Sequence, residues 1–201
     1  MKEEILSSAT ELFLNQGFKS VTMDDIATQM GISKKTIYSH YSQKTALVED
    51  VTAHLYNSIC TGIDGLQMQA NNPIEELYDI KLFILKHLKG EHTFPLQQLQ
   101  KYYPRIFSEL KMKQFDYMQE CMVKNIKLGV QKGLYRNNLD IGFVARMYFT
   151  GMTGIKDAAI FPPEDYPPAE LHGMYLEYHL RGIVTPQGRK ILNTLIQSNH
   201  E

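Results

Sequence analysis

Residues 22–44, TMDDIATQMGISKKTIYSHYSQK, decide the fold of this chain. The stretch predicts two short helices joined by a tight turn, because residues that start and stop helices stand at the right positions. Thr22 and Asp25 have the spacing of a capping box, in which each side chain accepts a hydrogen bond from the other residue's backbone amide. Gly31 can adopt the left-handed conformation that ends a helix, and Ser33 can cap the next one. Two helices separated by a three-residue break indicate a helix-turn-helix.

The second helix of the pair, predicted over residues 34–41, presents a polar face. Ile37 and Tyr41 are four residues apart, so they share one side of the helix and are expected to pack inward. The opposite side carries Lys34, Lys35, Tyr38 and Ser39. Ammonium groups donate to guanine acceptors or phosphate oxygens, and hydroxyl groups bond phosphates or base edges in the major groove. The alternative is a solvated amphipathic helix, but the caps, the stop and the exposed residue types together favour DNA recognition.

The same stretch resembles the DNA-binding domain of the tetracycline-repressor (TetR) family of bacterial regulators. The family pattern has a capped threonine, an Ile-Ala pair, a Gly-Val/Ile-Ser turn, a Tyr-x-His-Phe/Tyr run, a lysine and a leucine. In this chain these residues are Thr22, Ile26-Ala27, Gly31-Ile32-Ser33, Tyr38-Ser39-His40-Tyr41, Lys44 and Leu47. The resemblance covers about the first quarter of the chain and is highly specific. Lys35 stands where many members have a small residue, which concerns the base preference and not the binding mode.

The resemblance implies a homodimeric transcriptional regulator, expected to be a repressor, that binds a palindromic double-stranded DNA operator and is released by a small-molecule effector. Activation instead of repression stays open. Lys44 is expected to reach a phosphate together with the amides at the start of the fourth helix, and a solvated surface lysine is the alternative. The residues expected to contact DNA are Thr22, Ser33, Lys34, Lys35, Thr36, Tyr38, Ser39, His40 and Lys44.

The composition is that of an ordinary globular protein: 201 residues, 43% hydrophobic, with a net charge of -1. It lacks the overall positive charge typical of a nucleic-acid binder, yet the only charges between residues 26 and 48 are Lys34, Lys35 and Lys44. Such a local patch suffices for docking, because phosphate attraction in physiological salt acts over a Debye length of about 8 Å. No apolar run approaches the roughly 18 residues of a membrane span, and the first residues lack an apolar signal core. A cytoplasmic location without membrane attachment is therefore expected.

Apolar periodicity predicts an all-α chain with two domains. A three-helix helix-turn-helix domain is expected over residues 1–45, and a helical ligand-binding and dimerisation domain over residues 46–201. Asn72 and Asp140 are predicted to cap helices, and Gly90 is predicted to end one. The core expected for the first domain contains Ile5, Leu12, Phe13, Phe18, Val21, Ile26, Ile37 and Tyr41.

Residues 141–161 are predicted to form one helix that is apolar around its whole circumference. Such a helix must be buried on more than one side, and its small residues allow another backbone to approach closely. A second subunit is the natural cover, and in the family this helix and the next one, predicted over residues 169–181, pair with their copies. The expected dimer interface contains Gly151, Gly154, Ala158, Leu171, Met174, Tyr175 and Tyr178.

Methionine and tyrosine are concentrated in the C-terminal two-thirds of the chain. Flexible methionine and amphipathic tyrosine suit adaptable small-molecule sites. The same side chains also fill ordinary helical cores, and periodicity does not separate a cavity from a core. The residues expected to line a ligand pocket are Phe83, His87, Tyr102, Phe115, Met118, Met122, Tyr148 and Met152.

The sequence contains no HExxH, GxSxG, Walker or Rossmann motif, so no catalytic residue, cofactor or metal is expected. His172 and His179 can share a helix face, but a clear third ligand for a metal is lacking. Two alternatives to a regulator stay open. One is a helical protein-interaction module with a vestigial helix-turn-helix, and the other is a small helical enzyme with an unrecognised site.

Overall fold

The structure, a computed structural model, describes residues 1–87 and 93–198. Gly90, the predicted helix stop, lies outside the described residues. Within the described ranges the chain forms ten helices and no β-strand, which confirms the all-α prediction. None of these helices is long and apolar enough to cross a membrane. The helices are α1 (Lys2–Gln16), α2 (Met23–Met30), α3 (Lys34–His40), α4 (Lys44–Gln69), α5 (Pro73–His87), α6 (Thr93–Tyr102), α7 (Pro104–Gln131), α8 (Ile141–Gly154), α9 (Pro168–Ile183) and α10 (Pro186–Ser198).

The described residues form two compact units. The first, called the helix-turn-helix unit, comprises residues 1–61 and 93–114, and its core contains all eight apolar residues that the sequence predicted. Phe13 and Phe18 stack with their ring centroids 5.0 Å apart, which closes the end of α1. Residues of α4, α6 and α7 complete this core: Leu47, Val48, Val51, Leu99 and Ile106.

The second, called the C-terminal unit, comprises residues 62–87 and 115–198. Asn72 caps α5, because its side-chain oxygen accepts from the backbone amides of the second and third helical residues at 3.0 Å. Asp140 caps α8 in the same way through the amide of Phe143 at 2.9 Å. Both predicted caps are therefore confirmed. Buried apolar side chains of α5, α7, α9 and α10 form the centre of this unit: Ile74, Ile126, Leu176, Leu180 and Leu192.

A buried polar group ties α7 to the start of α5. The Asn125 side-chain amide donates to the carbonyl of Pro73 at 2.9 Å. The Tyr135 hydroxyl lies 3.1 Å from the Asn125 side-chain oxygen and 3.2 Å from the same carbonyl. Because these buried polar atoms are paired, their burial carries no unsatisfied-group penalty.

The predicted helix over residues 141–161 is wrong at its C-terminal end, because α8 ends at Gly154. Residues 155–167 form turns instead. Asp157 accounts for part of this, since its carboxylate accepts from the amide of Ala159 at 2.9 Å and so offers the backbone an alternative to helix. The Asp157 carbonyl also accepts from the amides of Ile160 and Phe161. Ala158 therefore lies in a turn and not on the predicted helix.

Candidate functional site

The N-terminus of α2 is closed by a complete capping box. The Thr22 hydroxyl oxygen accepts from the Asp25 amide at 3.1 Å, and the Asp25 carboxylate accepts from the Thr22 amide at 2.8 Å. The Thr22 hydroxyl also donates to the same carboxylate at 2.8 Å. These hydrogen bonds, the backbone bond first, hold the pKa of Asp25 below its ordinary value. The Thr22 side chain is thus used within the protein to start the helix.

The turn between α2 and α3 is built as the sequence predicts. Gly31 has φ 64° and ψ 28°, the left-handed conformation, and the following amide of Ile32 donates to the Ala27 carbonyl at 3.1 Å. Ser33 then caps α3 by accepting from the Thr36 amide at 3.1 Å, and the two hydroxyls lie 2.8 Å apart. The angle between the helices is therefore set by backbone conformation and caps within a few residues.

The fixed turn gives α3 one buried and one exposed side. Ile37 is fully buried, and Tyr41, the residue that follows α3, is 3% exposed. The Ser39 hydroxyl donates to the Thr36 carbonyl at 2.7 Å, so its hydrogen atom is used in a bond within α3. Within α3, Thr36 is half-buried, and the residues exposed to solvent are Lys34, Lys35, Tyr38, Ser39 and His40.

The two lysines at the start of α3 differ in their surroundings. The Lys34 ammonium pairs with the Asp24 carboxylate at 2.7 Å, and this hydrogen bond raises the pKa of Lys34. Lys35 is exposed and makes no ion pair within the described residues. This pairing was not predicted from the sequence. The spacing of ten residues across a turn belongs to no helical pattern, so only the folded turn brings the two side chains together.

Lys44, at the start of α4, is held by the protein and is not a solvated surface lysine. Its ammonium donates to the Lys19 carbonyl at 3.1 Å and lies 5.7 Å from the centroid of the Phe13 ring. Burial is the main reason why the pKa of Lys44 is lowered. The ammonium therefore has a defined position beside the end of α1, where it links the 17–20 loop to α4.

Two of the eight side chains expected to line a ligand pocket line a cleft in the described part of the chain. Tyr102 belongs to the helix-turn-helix unit, where the Lys19 ammonium lies 4.6 Å from its ring centroid. The other seven belong to the C-terminal unit, where Tyr148 and Met152 line a cleft.

The remaining five predicted pocket residues pack elsewhere in the C-terminal unit. Phe83 and His87 stack on one another with ring centroids 3.9 Å apart. Phe115 meets the ring of Phe149 edge-on at 5.1 Å. Met122 is 2% exposed and belongs to the apolar core of this unit. Met118 is partly buried and packs against the same core.

The cleft itself lies among α5, α8 and α9 and has a volume of about 20 Å³, room for about one water molecule. Sequence reasoning missed most of its lining, because residues from three distant segments meet there. The lining residues are Ile80, Lys81, Ile84, Tyr148, Met152, His172 and Leu176.

The residues expected at a dimer interface divide into two groups. Gly151 is used inside the chain, since a Cβ there would overlap the ring of Tyr175. The Tyr175 hydroxyl donates to the carbonyl of Met147 at 2.8 Å, and Leu171 is buried. By contrast, Met174 is 57% exposed. The exposed members are Met174, Tyr178 and Gly154, whereas Ala158 is half-buried in its turn.

Two exposed apolar side chains of α8 were missed by sequence reasoning. Phe143 is 62% exposed and Met147 is 46% exposed, and their spacing of four places them on one side of the helix. Met174 and Tyr178 repeat this spacing on α9. We call these four residues the α8–α9 apolar face.

Comparisons with known proteins agree with this geometry. A family model described as bacterial regulatory proteins of the tetR family matches residues 5–51. The chain is 24% identical over 196 residues to the HTH-type transcriptional repressor KstR2 of Mycolicibacterium smegmatis, covering 94% of this chain and 93% of that protein. It is 29% identical over 143 residues to the uncharacterized HTH-type transcriptional regulator YdeS of Bacillus subtilis, covering 68% of each.

Solved structures share the fold. The crystal structure of a TetR-family transcriptional regulator from Agrobacterium tumefaciens superposes with a TM-score of 0.72, at 18% identity, over 92% of this chain and 97% of that one. At this identity the likeness concerns the fold alone. The family model lies on the helix-turn-helix whose caps and turn are described above, and the sequence relatives extend along the chain. Residues 5–51 thus carry the DNA-binding domain of the TetR family of bacterial regulatory proteins, and the whole chain is similar to HTH-type transcriptional repressors.

Proposed function

We propose that this DNA-binding regulator acts as a homodimeric repressor whose operator affinity falls when a small-molecule effector binds. One observation carries the proposal: the capped turn holds α3 with its polar side in solvent and Ile37 buried beneath it. A helix presented in this way can enter the major groove with its N-terminal residues against base edges. As a family regulator, the chain acts by binding and not by catalysis.

The proposed DNA contacts follow from which polar groups the fold leaves available. The Thr22 and Ser33 hydroxyls hold the caps, and the Thr36 hydroxyl lies 2.8 Å from that of Ser33. The first backbone amides of α2 and α3, next to these residues, are therefore the groups proposed to meet phosphates. Base readout is proposed for the exposed side chains of Lys34, Lys35, Tyr38 and His40. Ser39 and Lys44 are proposed as phosphate contacts at the edge of the site.

The α8–α9 apolar face supports the homodimer. Large apolar side chains exposed on two helices that contact one another mark an interaction surface more often than scattered ones do. A dimer with a two-fold axis through this surface contains two copies of α3. To bind a palindromic operator, the centres of the two α3 helices must lie about 34 Å apart, which is one turn of the duplex. Residues 1–45 are thus proposed to contact DNA and residues 46–201 to bind the effector and the second copy.

The effector is proposed to act by binding unequally to two arrangements of the dimer. A ligand shifts such an equilibrium only by its difference in affinity for the two states, and nothing more is required. An effector that favours another spacing of the two α3 helices would therefore release the operator. Because the target is chromosomal DNA, the site of action proposed is the bacterial cytoplasm.

Fluorescence anisotropy with duplex DNA from the region upstream of the gene tests the proposal. We expect sequence-selective binding by the full chain that weakens steeply with salt, since phosphate contacts release counterions. Changing Lys34 and Lys35 together to Ala should lower the affinity by roughly 100-fold or more. Changing Lys111 and Lys113 to Ala removes the same charge from exposed positions on α7 and should have little effect. Selective binding that survives the α3 double variant, or no selective binding by the wild-type chain, would contradict the assignment.

A further inference from the structure

The cleft of the C-terminal unit combines an apolar lining with a single cation. Four of its side chains are aliphatic or thioether groups contributed by all three helices: Ile80, Ile84, Met152 and Leu176. Its polar members are Lys81 on α5, Tyr148 on α8 and His172 on α9. Tyr148 and His172 are buried. A lining of this kind suits a small molecule with an apolar body and few polar groups.

Lys81 is held at this cleft without a counter-ion. The side chain is half-buried, its ammonium lies 5.4 Å from the Tyr78 ring centroid, and no carboxylate pairs with it among the described residues. Gly173 on α9 leaves room for the ammonium, because a Cβ there would come within 3.3 Å of it. Burial lowers the pKa of Lys81, which reflects the cost of keeping this charge partly out of water.

A half-buried cation gains from an anionic partner that the chain itself does not supply. Most buried charges in proteins are paired, because an unpaired charge loses its hydration without compensation. An exposed lysine keeps most of its hydration, whereas Lys81 is half-buried beside an apolar cleft. The unmatched charge therefore points to a ligand that carries its own negative group.

We propose that the effector is a small organic monoanion with an aliphatic body, which places its carboxylate on Lys81 and its apolar part between α5, α8 and α9. This inference rests on the proposed function, since it names the chemical class of the effector of that regulator. Lys81 is then the residue that selects anions, and the four apolar side chains select chain length. Tyr148 and His172 lie where they can meet polar atoms of the bound molecule.

The volume of the cleft makes ligand entry a conformational event. At about 20 Å³ the cleft is far smaller than an aliphatic acid, so α5, α8 and α9 must separate to admit one. Met152 is flexible and can repack around a guest. A ligand that requires this separation binds the open arrangement only, and that difference in affinity is what an effector needs.

Calorimetric titration of the full chain with octanoate tests the assignment, with octanol and octylamine as probes of the same length. We expect octanoate to bind at least tenfold more tightly than either, because a charge-assisted hydrogen bond forms in a partly desolvated site. Lys81→Met, which keeps the aliphatic stem, should weaken octanoate at least tenfold and leave octanol unchanged. Lys86→Met, an exposed lysine of the same helix, is the matched control and should not alter either affinity.

The same samples are then titrated with operator DNA in the presence and absence of octanoate. We expect octanoate to weaken operator binding by the wild type and by Lys86→Met, and not by Lys81→Met. Equal affinity for octanoate and octanol, no binding of any probe, or octanoate binding that Lys81→Met leaves intact would overturn the anionic effector while operator binding stood. Absence of operator binding by the ligand-free wild type would instead overturn the proposed function, whatever the calorimetry shows.

Discussion

At the scale of single residues, Lys34, which we propose contacts DNA, already has an ion-pair partner in the free protein. Its ammonium is paired with Asp24 in the free protein. To reach a phosphate or a guanine, the Lys34 ammonium must break its ion pair with Asp24. The free energy of that ion pair is therefore subtracted from the binding free energy of the DNA contact. Both side chains are more than half exposed, and such pairs are weak in water. The ion pair with Asp24 therefore weakens DNA binding by a small amount.

Asp24→Asn should strengthen operator binding by roughly two- to fivefold, because it frees Lys34 and removes a negative charge beside the DNA. Anisotropy titration of the wild type, Asp24→Asn, Lys34→Met and the double variant forms a cycle that isolates the pairing. In the Lys34→Met background the gain should shrink to the part due to charge repulsion alone. An equal gain in both backgrounds would show that Asp24 acts without Lys34.

His179 presents a different single-residue effect, because its ring is buried and its Nε2 is unpaired among the described residues. The ring is 9% exposed, lies against Tyr148 and Tyr175, and its Nε2 has no partner among the described residues. Burial lowers its pKa from 6.5 to about 4. Between pH 6.5 and about pH 4, the unfolded chain therefore binds a proton at His179, whereas the folded chain does not. The free energy of unfolding falls as the pH falls through this window.

The expected loss from His179 between about pH 8 and about pH 5 is about 2 kcal/mol in the free energy of unfolding. Urea denaturation followed by circular dichroism at both pH values measures it. His179→Gln is neutral throughout and should show a pH dependence smaller by that amount, whatever its stability at pH 8. Parallel pH profiles for the two proteins would exclude a buried neutral histidine.

At the scale of elements, the α2–turn–α3 segment depends on Gly31. Its φ of 64° is strained for residues with a side chain, and space around a Cβ built there is open. Any cost of substitution therefore comes from backbone conformation and not from a clash. This makes the position a clean test of whether the turn is held in the left-handed conformation.

Gly31→Ala should lower the free energy of unfolding by about 1 kcal/mol, and Gly31→Asn by less, because asparagine tolerates the left-handed region better. Urea denaturation of the three proteins gives both differences. Gly65→Ala provides the control, since that glycine lies inside α4 with no atom within 4 Å of a Cβ and should gain helix propensity. If Gly31→Ala were as stable as the wild type, the turn would not require the observed conformation.

At the scale of the whole molecule, the α8–α9 apolar face determines the assembly that we propose. Tyr178 is 77% exposed and Met174 is 57% exposed, although both follow apolar periodicity on α9. Exposing such groups to water is unfavourable, so covering them with a second copy supplies free energy for association. Operator affinity then depends on dimerisation, because two half-sites are bound together.

Changing Met174 and Tyr178 together to Glu should give a particle with the mass of one chain, 23.2 kDa, by light scattering after size exclusion. Operator affinity should fall by roughly 100-fold or more, since the second half-site is no longer linked. Met68→Glu places a charge at an apolar side chain of α4 that is 87% exposed and should leave a dimer. A wild-type monomer, or a dimer that survives both glutamates, would place the interface elsewhere or exclude it.

The sequence by itself determined the helix-turn-helix. Its capping box, its left-handed glycine and its serine cap act between residues at most a few positions apart, so each leaves a readable local pattern. The eight core residues of this unit could be named for the same reason, since periodicity reports which side of a helix is buried. The exposed residues of α3 followed from the same pattern.

Only the tertiary structure decided the contacts between residues far apart in the chain. The Lys34–Asp24 pair, the cleft that joins Lys81 to His172, and the division of α9 between buried Leu171 and exposed Tyr178 have no local signature. The end of α8 at Gly154 was also missed, because apolar composition continued while the Asp157 turn ended the helix. Local hydrogen bonds are recorded in short sequence patterns, whereas the neighbours of a side chain across helices depend on how those helices pack.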